Sequence, residues 1–312
     1  MARRAPQALL VWRVMHHDHA PATFGRAFAI GVALNGAYVI AEAVMGVRAN
    51  SLALLSDAGH NLGDVLALAL AWMASLMGRR APSARYTYGL RGSSILAALT
   101  NAVVLLVVTG GIAWAAILRL AHPETSAGAV VMAVAAAGVA VNGVTAWMFA
   151  AGRRGDVNVR AAFTHMASDA LVAAGVVVAG AAIVVTHWQW LDPAVSLIIG
   201  AIIVAGTWSL LRESLDLALQ AVPSGVDRAA VHDYLAELPG VAEVHDLHIW
   251  GMSTTETALT AHLVRPGAPI DDAMIHGVCV ELKTRFRIDH ATLQIEEGAL
   301  DHPCHLADAA VV

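Results

Sequence analysis

The sequence predicts an α-helical membrane protein: a six-transmembrane-helix bundle followed by a small cytosolic α+β domain of ferredoxin-like (αββαβ) order. Three observations predict it. Of 312 residues, 58% are hydrophobic and only 14% charged, which is far from the composition of an ordinary soluble domain. Polarity is also uneven: seven acidic residues lie between Arg26 and Leu211, and sixteen from Arg212 onward. Finally, the arginines alternate from loop to loop. The net charge of -5 excludes a nucleic-acid partner on the reading that such a partner needs a basic face.

A bilayer core of about 30 Å asks for roughly 20 apolar residues per helix. Six stretches meet this, at about 25–46, 54–78, 92–118, 127–150, 160–186 and 192–211. Arg3, Arg4, Arg13 and Arg26 precede or open the first. Arg79, Arg80, Arg85 and Arg91 occupy the second loop, and Arg153, Arg154 and Arg160 the fourth. The odd-numbered loops hold only Arg48 and Arg119, so the positive-inside rule places both termini in the cytosol. The apolar "ALLVW" near the N-terminus is too short for a signal-peptide core, so that tail is expected to be retained. Cys279 and Cys304 imply no disulfide framework.

After Gln220 the periodicity changes. "VDRAAVHDYLAELPG" has helical spacing and stops at Pro239-Gly240. "VAEVHDLHIWGM" and "ETALTAHLVRP" read as strands joined by the turn "STT". "APIDDAMIHGVCVELKTRFRI" reads as a second helix and "ATLQIEE" as a third strand. This order predicts a small open sheet with both helices on one face. At about 75 residues such a domain is near the limit for a self-sufficient core, so dimerisation or metal is expected to support it. Strict alternation along the first strand puts His248 with Asp246 and Trp250, opposite His245 and Leu247, which makes His248 structural.

Inside the second span, "SDAGHNLGD" places His60 and Asp64 four residues apart, one turn apart on one helix face. In the fifth, "HMASDAL" repeats the spacing with His165 and Asp169. A single intramembrane Asp is explained by a hydrogen bond to a neighbouring helix or by a watery vestibule. A charge at the bilayer centre costs about 2.5–3.5 kcal/mol or more, however, and two copies of one pair make accidental burial a poor explanation. Two imidazoles and two carboxylates suit a tetrahedral divalent cation, zinc first. Asp57 lies at the rim of the span, as a vestibule carboxylate or, preferred, an N-cap. Glu42, Asn35, Asn101 and Asn142 read as polar contacts between helices.

With these residues in place, the chain resembles the cation diffusion facilitator family of zinc-type divalent metal exporters along nearly its whole length. "SLALLSDAGHNLGD", "TYGLRGSSILAALTNAVVLL", "HMASDAL", "GVAEVHDLHIWGM" and "HATLQIE" resemble the family's motifs in order. One departure is Ser94, which stands where many members carry Glu. The resemblance implies a homodimeric, proton-coupled antiporter working by alternating access, in a bacterial cytoplasmic membrane, and not an enzyme. Its transport site would be His60, Asp64, His165 and Asp169, and His at position 60 resembles the zinc-preferring members. It further implies a regulatory metal at the dimer face held by His245, His262 and His276, with Glu296 completing the set. Gln294 stands where some members have His, so a second metal there is not expected.

The domains then run as an N-terminal tail (1–24), a six-span transport domain (25–211), a linker (212–221), a cytosolic metal-binding and dimerisation domain (222–298) and a C-terminal tail (299–312). "HHDH", with His16, His17 and His19, and "HPCH", with Cys304 and His305, either meet to hand on metal or are incidental ligands in the tails. No resident cofactor is implied; zinc is cargo and, in the tail domain, a regulatory ion, while protons and membrane lipid are the other partners. Imidazole binds metal only when neutral and carboxylate only when ionised, so metal and protons compete for one site. The same architecture would serve export of cobalt, nickel, iron or cadmium. A membrane-anchored metal sensor would use only the tail ligands, and an intramembrane hydrolase would need a general base that the sequence does not offer.

Overall fold

A computed structural model describes residues 26–78, 80–150, 157–267 and 272–298. His16, His17, His19, Cys304 and His305 lie outside the described residues. Six long helices form the first part: α1 (Arg26–Arg48), α2 (Leu52–Gly78), α3 (Ser93–Ala121), α4 (Gly128–Ala150), α5 (Val157–Thr186) and α6 (Leu191–Ala218). The shortest has 23 residues, and at a rise of 1.5 Å per residue even this exceeds a bilayer core of about 30 Å. Helices α3, α4, α5 and α6 are long and apolar enough to cross a membrane by composition alone. In α2 the length is there, but Asp57, His60, Asn61 and Asp64 interrupt its apolar character.

Helix α6 runs seven residues past the expected end of its span and absorbs most of the expected linker. It stops where Gln220 turns left-handed at φ +61°, with the Ala221 amide donating to the Asp216 carbonyl at 2.8 Å. Small residues set the approach of α4 and α5. A Cβ on Gly180 would lie 2.8 Å from the Met132 amide nitrogen and 3.0 Å from the Gly128 carbonyl, so only glycine permits this crossing.

At the end of the bundle farthest from the tail domain, one buried carboxylate fastens three helices. Ser51 is the N-cap of α2, its hydroxyl accepting from the Leu54 amide at 3.2 Å. Asp192, at the start of α6, accepts from the Ser51 hydroxyl and from the Leu52 amide at 2.7 Å, which places a carboxylate on the positive end of α2. Arg119, near the end of α3, approaches Asp192 at 3.7 Å and donates to the Asn50 carbonyl at 2.7 Å. The same guanidinium pairs with Glu124 at 3.1 Å.

The tail domain follows as α7 (Arg228–Ala236), β1 (Glu243–Gly251), β2 (Thr257–Val264), α8 (Asp272–Phe286) and β3 (His290–Glu296). This is the expected αββαβ order. The Asp227 side chain caps α7, accepting from the Ala229 and Ala230 amides. The sheet order is β1-β2-β3, with β1 antiparallel and β3 parallel to β2. Both helices cover one face through Val231, Leu235, Val278, Leu282 and Phe286, which meet Leu247, Ile249, Leu259, Ala261 and Leu263 from the strands. The turn between β1 and β2 docks against the membrane domain: Arg91 pairs with Glu256 at 2.6 Å, and the Thr254 amide donates to Ser94 Oγ at 3.1 Å. Ser94 therefore has a structural part here that its short hydroxyl allows.

Strand β1 departs from strict alternation. His245 pairs with His262 and His248 with Thr260, so Asp246 and Leu247 together stand opposite one residue of β2. Asp246 adopts φ +48° to make this bulge. The expected grouping of His245 with Leu247 is thereby overturned. Leu247 enters the core, while His245 joins His248 and His262 on the open face of the sheet.

Replacing Asp192 by Ala leaves the Ser51 hydroxyl and the Leu52 amide without this acceptor and removes one of the partners of Arg119, at an expected cost of about 1–3 kcal/mol. A thermal-unfolding midpoint in detergent clearly below that of the parent protein is the expected result. Asp246→Val, which resists positive φ, is expected to destabilise the tail domain by about 1–3 kcal/mol. Asp246→Gly should be tolerated, and hydrogen exchange across β1 reads the difference.

Candidate metal centre

The two His-x-x-x-Asp pairs meet between α2 and α5. His60 Nε2 lies 3.5 Å from Asp169 Oδ1 and 3.8 Å from Asp64 Oδ2. His165 Nε2 lies 3.3 Å from Asp64 Oδ2 and 3.7 Å from Asp169 Oδ2. Nitrogen and oxygen thus alternate around a closed four-membered ring of donors. Zinc bonds of about 2.0–2.1 Å in a tetrahedron require ligand atoms about 3.3–3.4 Å apart, close to these edges. Asp64, His165 and Asp169 offer ligand atoms all within 4.8 Å of one another, and His60 closes the set through both carboxylates.

The electrostatics point the same way. Asp64 Oδ2, Asp169 Oδ2 and His60 Nδ1 are buried with no hydrogen-bond partner. Buried acceptors without donors are costly, and convergent ones are the environment a cation relieves. The centre is lopsided: the Asp169 side chain is 3% exposed, whereas those of His165 and Asp64 are 41% and 36% exposed. Asn35 on α1 reaches Met166 on α5 at 3.7 Å, beside the His165 turn.

Asp57 is not an N-cap. Helix α2 begins at Leu52 with Ser51 as its cap, so Asp57 falls in the second turn, where it is 1% exposed. It faces Glu42 of α1, a meeting that linear spacing does not reveal because the two residues belong to different helices. Asp192 was likewise hidden: its partner is the start of α2, about 140 residues away in sequence.

In the tail domain a second cluster forms on the open sheet face. His262 Nδ1 lies 2.9 Å from Glu296 Oε1, and His245 Nε2 lies 3.5 Å from Glu296 Oε2. The two rings stand edge to face at 5.1 Å, and the three residues offer a set of ligand atoms within metal-holding distance. Asp246 extends the group, 3.3 Å from His262 Nε2 and 2.8 Å from His248 Nε2. His248, expected to be structural, is thus tied to the same group by the bulge. His276 sits on α8, which packs on the other face of the sheet, and is not brought to the cluster within one protomer. Gln294 donates to Glu296 Oε1 at 2.8 Å and so steadies that carboxylate.

Six long helices, four of them long and apolar enough to cross a membrane, carry a four-donor cluster between two of them; with the small αββαβ domain that follows, they define a polytopic membrane protein with a candidate metal centre. Family profiles agree: "cation efflux transmembrane domain" matches residues 28–217, and "cation efflux protein, cytoplasmic domain" matches 223–298. The chain belongs to the cation efflux family. It is 38% identical over 298 residues to the metal cation efflux system protein CzcD of Cupriavidus metallidurans, covering 94% of this chain and 92% of that one. It is 35% identical to the zinc transporter ZitB of Escherichia coli, covering 90% and 88%. It is 31% identical to the cadmium, cobalt and zinc/H(+)-K(+) antiporter of Bacillus velezensis, covering 92% and 93%. The protein is accordingly an integral membrane protein of a metal-transporting family.

Proposed function

We propose that the protein exports a divalent cation, zinc foremost, from the cytosol in exchange for protons, through His60, Asp64, His165 and Asp169. The observation that carries this reading is the closed ring of two imidazoles and two carboxylates with orphaned buried oxygens. A borderline cation matches such nitrogen and oxygen donors, and the absence of thiolate from the set favours release as well as capture. Protons arriving at the imidazoles remove the donors that hold the metal, and metal arriving displaces protons. The relatives named as a zinc transporter and as a cation/H(+)-K(+) antiporter support both halves of the exchange.

The arginine distribution supports cytosolic termini, in the cytoplasmic membrane of a bacterium. The cluster of His245, His262 and Glu296 is the candidate regulatory metal site, on a tail domain that works as a homodimer. The relative named for cadmium, cobalt and zinc supports a second reading, in which the same centre accepts several cations.

Purified protein in proteoliposomes with an imposed pH gradient tests the proposal, with a zinc dye and a proton probe read together. Zinc movement with proton counterflow is expected, and Asp169→Ala should abolish both. His60→Asp replaces an imidazole by a harder donor and is expected to raise manganese transport relative to zinc. Failure of any cation to move, with zinc still held by the tail domain, would turn the reading toward a sensor.

A further inference from the structure

A second titratable site lies outside the four ligands. Glu42 on α1 and Asp57 on α2 are 0% and 1% exposed, and their carboxyl groups lie within hydrogen-bonding reach of each other. The Tyr38 hydroxyl donates to Glu42 Oε1 at 2.7 Å, and the Asn61 amide donates to Glu42 Oε2 at 3.4 Å. Neither oxygen of Asp57 has a hydrogen-bond donor. Tyr38 is itself held in a slot against α4, where a Cβ on Gly138 would lie 2.3 Å from its hydroxyl.

Two carboxylates in contact, sealed from water, do not both stay ionised; one proton shared between them satisfies the oxygens that otherwise lack a donor. Among the described residues no lysine or arginine pairs with either carboxyl to replace that proton. Helix α4, packed on α1, carries no ionisable residue along its length. Arg119 on α3 is engaged with Asp192 and Glu124 at the capped end of α2. The charged groups that Asp57 senses, besides Glu42, are His60 on its own helix and Asp169 on α5. Among the described residues His60 pairs with Asp64 and Asp169 and not with Asp57, so Asp57 is near the metal centre without belonging to it.

We propose that Glu42 and Asp57 form a proton store coupled electrostatically to the metal centre. With the centre empty of metal the pair holds one proton. A divalent cation arriving at His60 and Asp169 places positive charge one helical turn from Asp57, and the shared proton leaves toward the exposed side of the centre, at Asp64 and His165. When the cation departs, a proton returns to the pair from the side on which the metal was released. The metal ligands alone would then account for one proton fewer than the whole exchange. This inference rests on the proton-coupled reading above.

Calorimetric titration of the full-length protein with zinc, in buffers of different protonation enthalpy, counts the protons released per zinc bound. Glu42→Gln keeps an acceptor for Tyr38 but cannot ionise. It is expected to bind the same number of zinc ions as the parent while releasing about one proton fewer per membrane-site zinc. Asp57→Asn should do the same, and the tail-domain cluster contributes equally to every variant. An unchanged proton count at unchanged zinc stoichiometry would overturn the proton store and leave the exchange reading intact. If the parent protein itself releases no protons, the exchange reading fails first. Infrared difference spectra of the parent protein keep the test open should both variants misfold. A protonated-carboxyl band lost on zinc addition is expected, and no such band in the metal-free protein overturns the store.

Discussion

The structure depends on how an ionised carboxylate is kept inside a membrane. Removing such a group from water is expensive, and the penalty is met by donors, by a shared proton or by a cation. Three buried aspartates show three solutions. Asp192 is met by a hydroxyl, by backbone amides at the start of α2 and by an arginine, so its charge is matched permanently and its work is structural. Asp169 faces only two imidazoles and keeps one oxygen without a donor. Asp57 faces another carboxyl. The same side chain is thus a fastener, a candidate ligand or, on the proposal above, a proton carrier according to what its neighbours supply.

These roles are ordered along α2. Its first turn is fixed by Ser51 and Asp192; Asp57 follows within two turns, and His60 and Asp64 lie one and two turns beyond that. Anchoring the N-terminus of α2 so firmly gives the ligands farther along a defined rotational setting, because a helix held at one end and packed along its length cannot turn about its axis. At the opposite end of the bundle, the Arg91–Glu256 pair and the Ser94–Thr254 bond bring the turn of the tail domain onto the start of α3. The tail domain is therefore linked to the bundle by polar contacts as well as by the chain itself.

Much of this could be read from the residues. Period and length located all six long helices, and the αββαβ order of the tail followed from the switch between helical and alternating patterns. The four membrane donors were legible because i, i+4 spacing is a local rule and was repeated in two spans. What escaped were the non-local or conformational facts. No spacing rule joins Glu42 to Asp57, or Asp192 to Ser51, across separate helices. Asp57 looked like a cap only while the start of α2 was placed too late, past the serine that does the capping. The bulge at Asp246 escaped because alternation is assumed until a residue breaks it, and aspartate at positive φ leaves only a faint trace in sequence. One inserted residue then decided which face His245 occupies.

The placement of the centre also bears on how access to it can change. Helix α5 packs chiefly against α4, whereas α2 packs against α1, α3 and α6. Contact between α2 and α5 themselves is slight, yet each supplies half of the donors. A cation bound there would join α2 to α5 directly, where the two groups of helices otherwise meet through contacts such as Asn35 with Met166 and Tyr38 with α4. Its binding energy would then act between α2 and α5, where small relative shifts of α4–α5 against the remaining helices alter the distances between His60 and Asp169 or between Asp64 and His165. Ligands all drawn from one helix, or from two tightly packed ones, would bind equally well but would not respond to such a shift. On the proposed function, dividing the site between two helices that touch little would make occupancy and conformation report on each other, which is what coupling of cargo to movement requires.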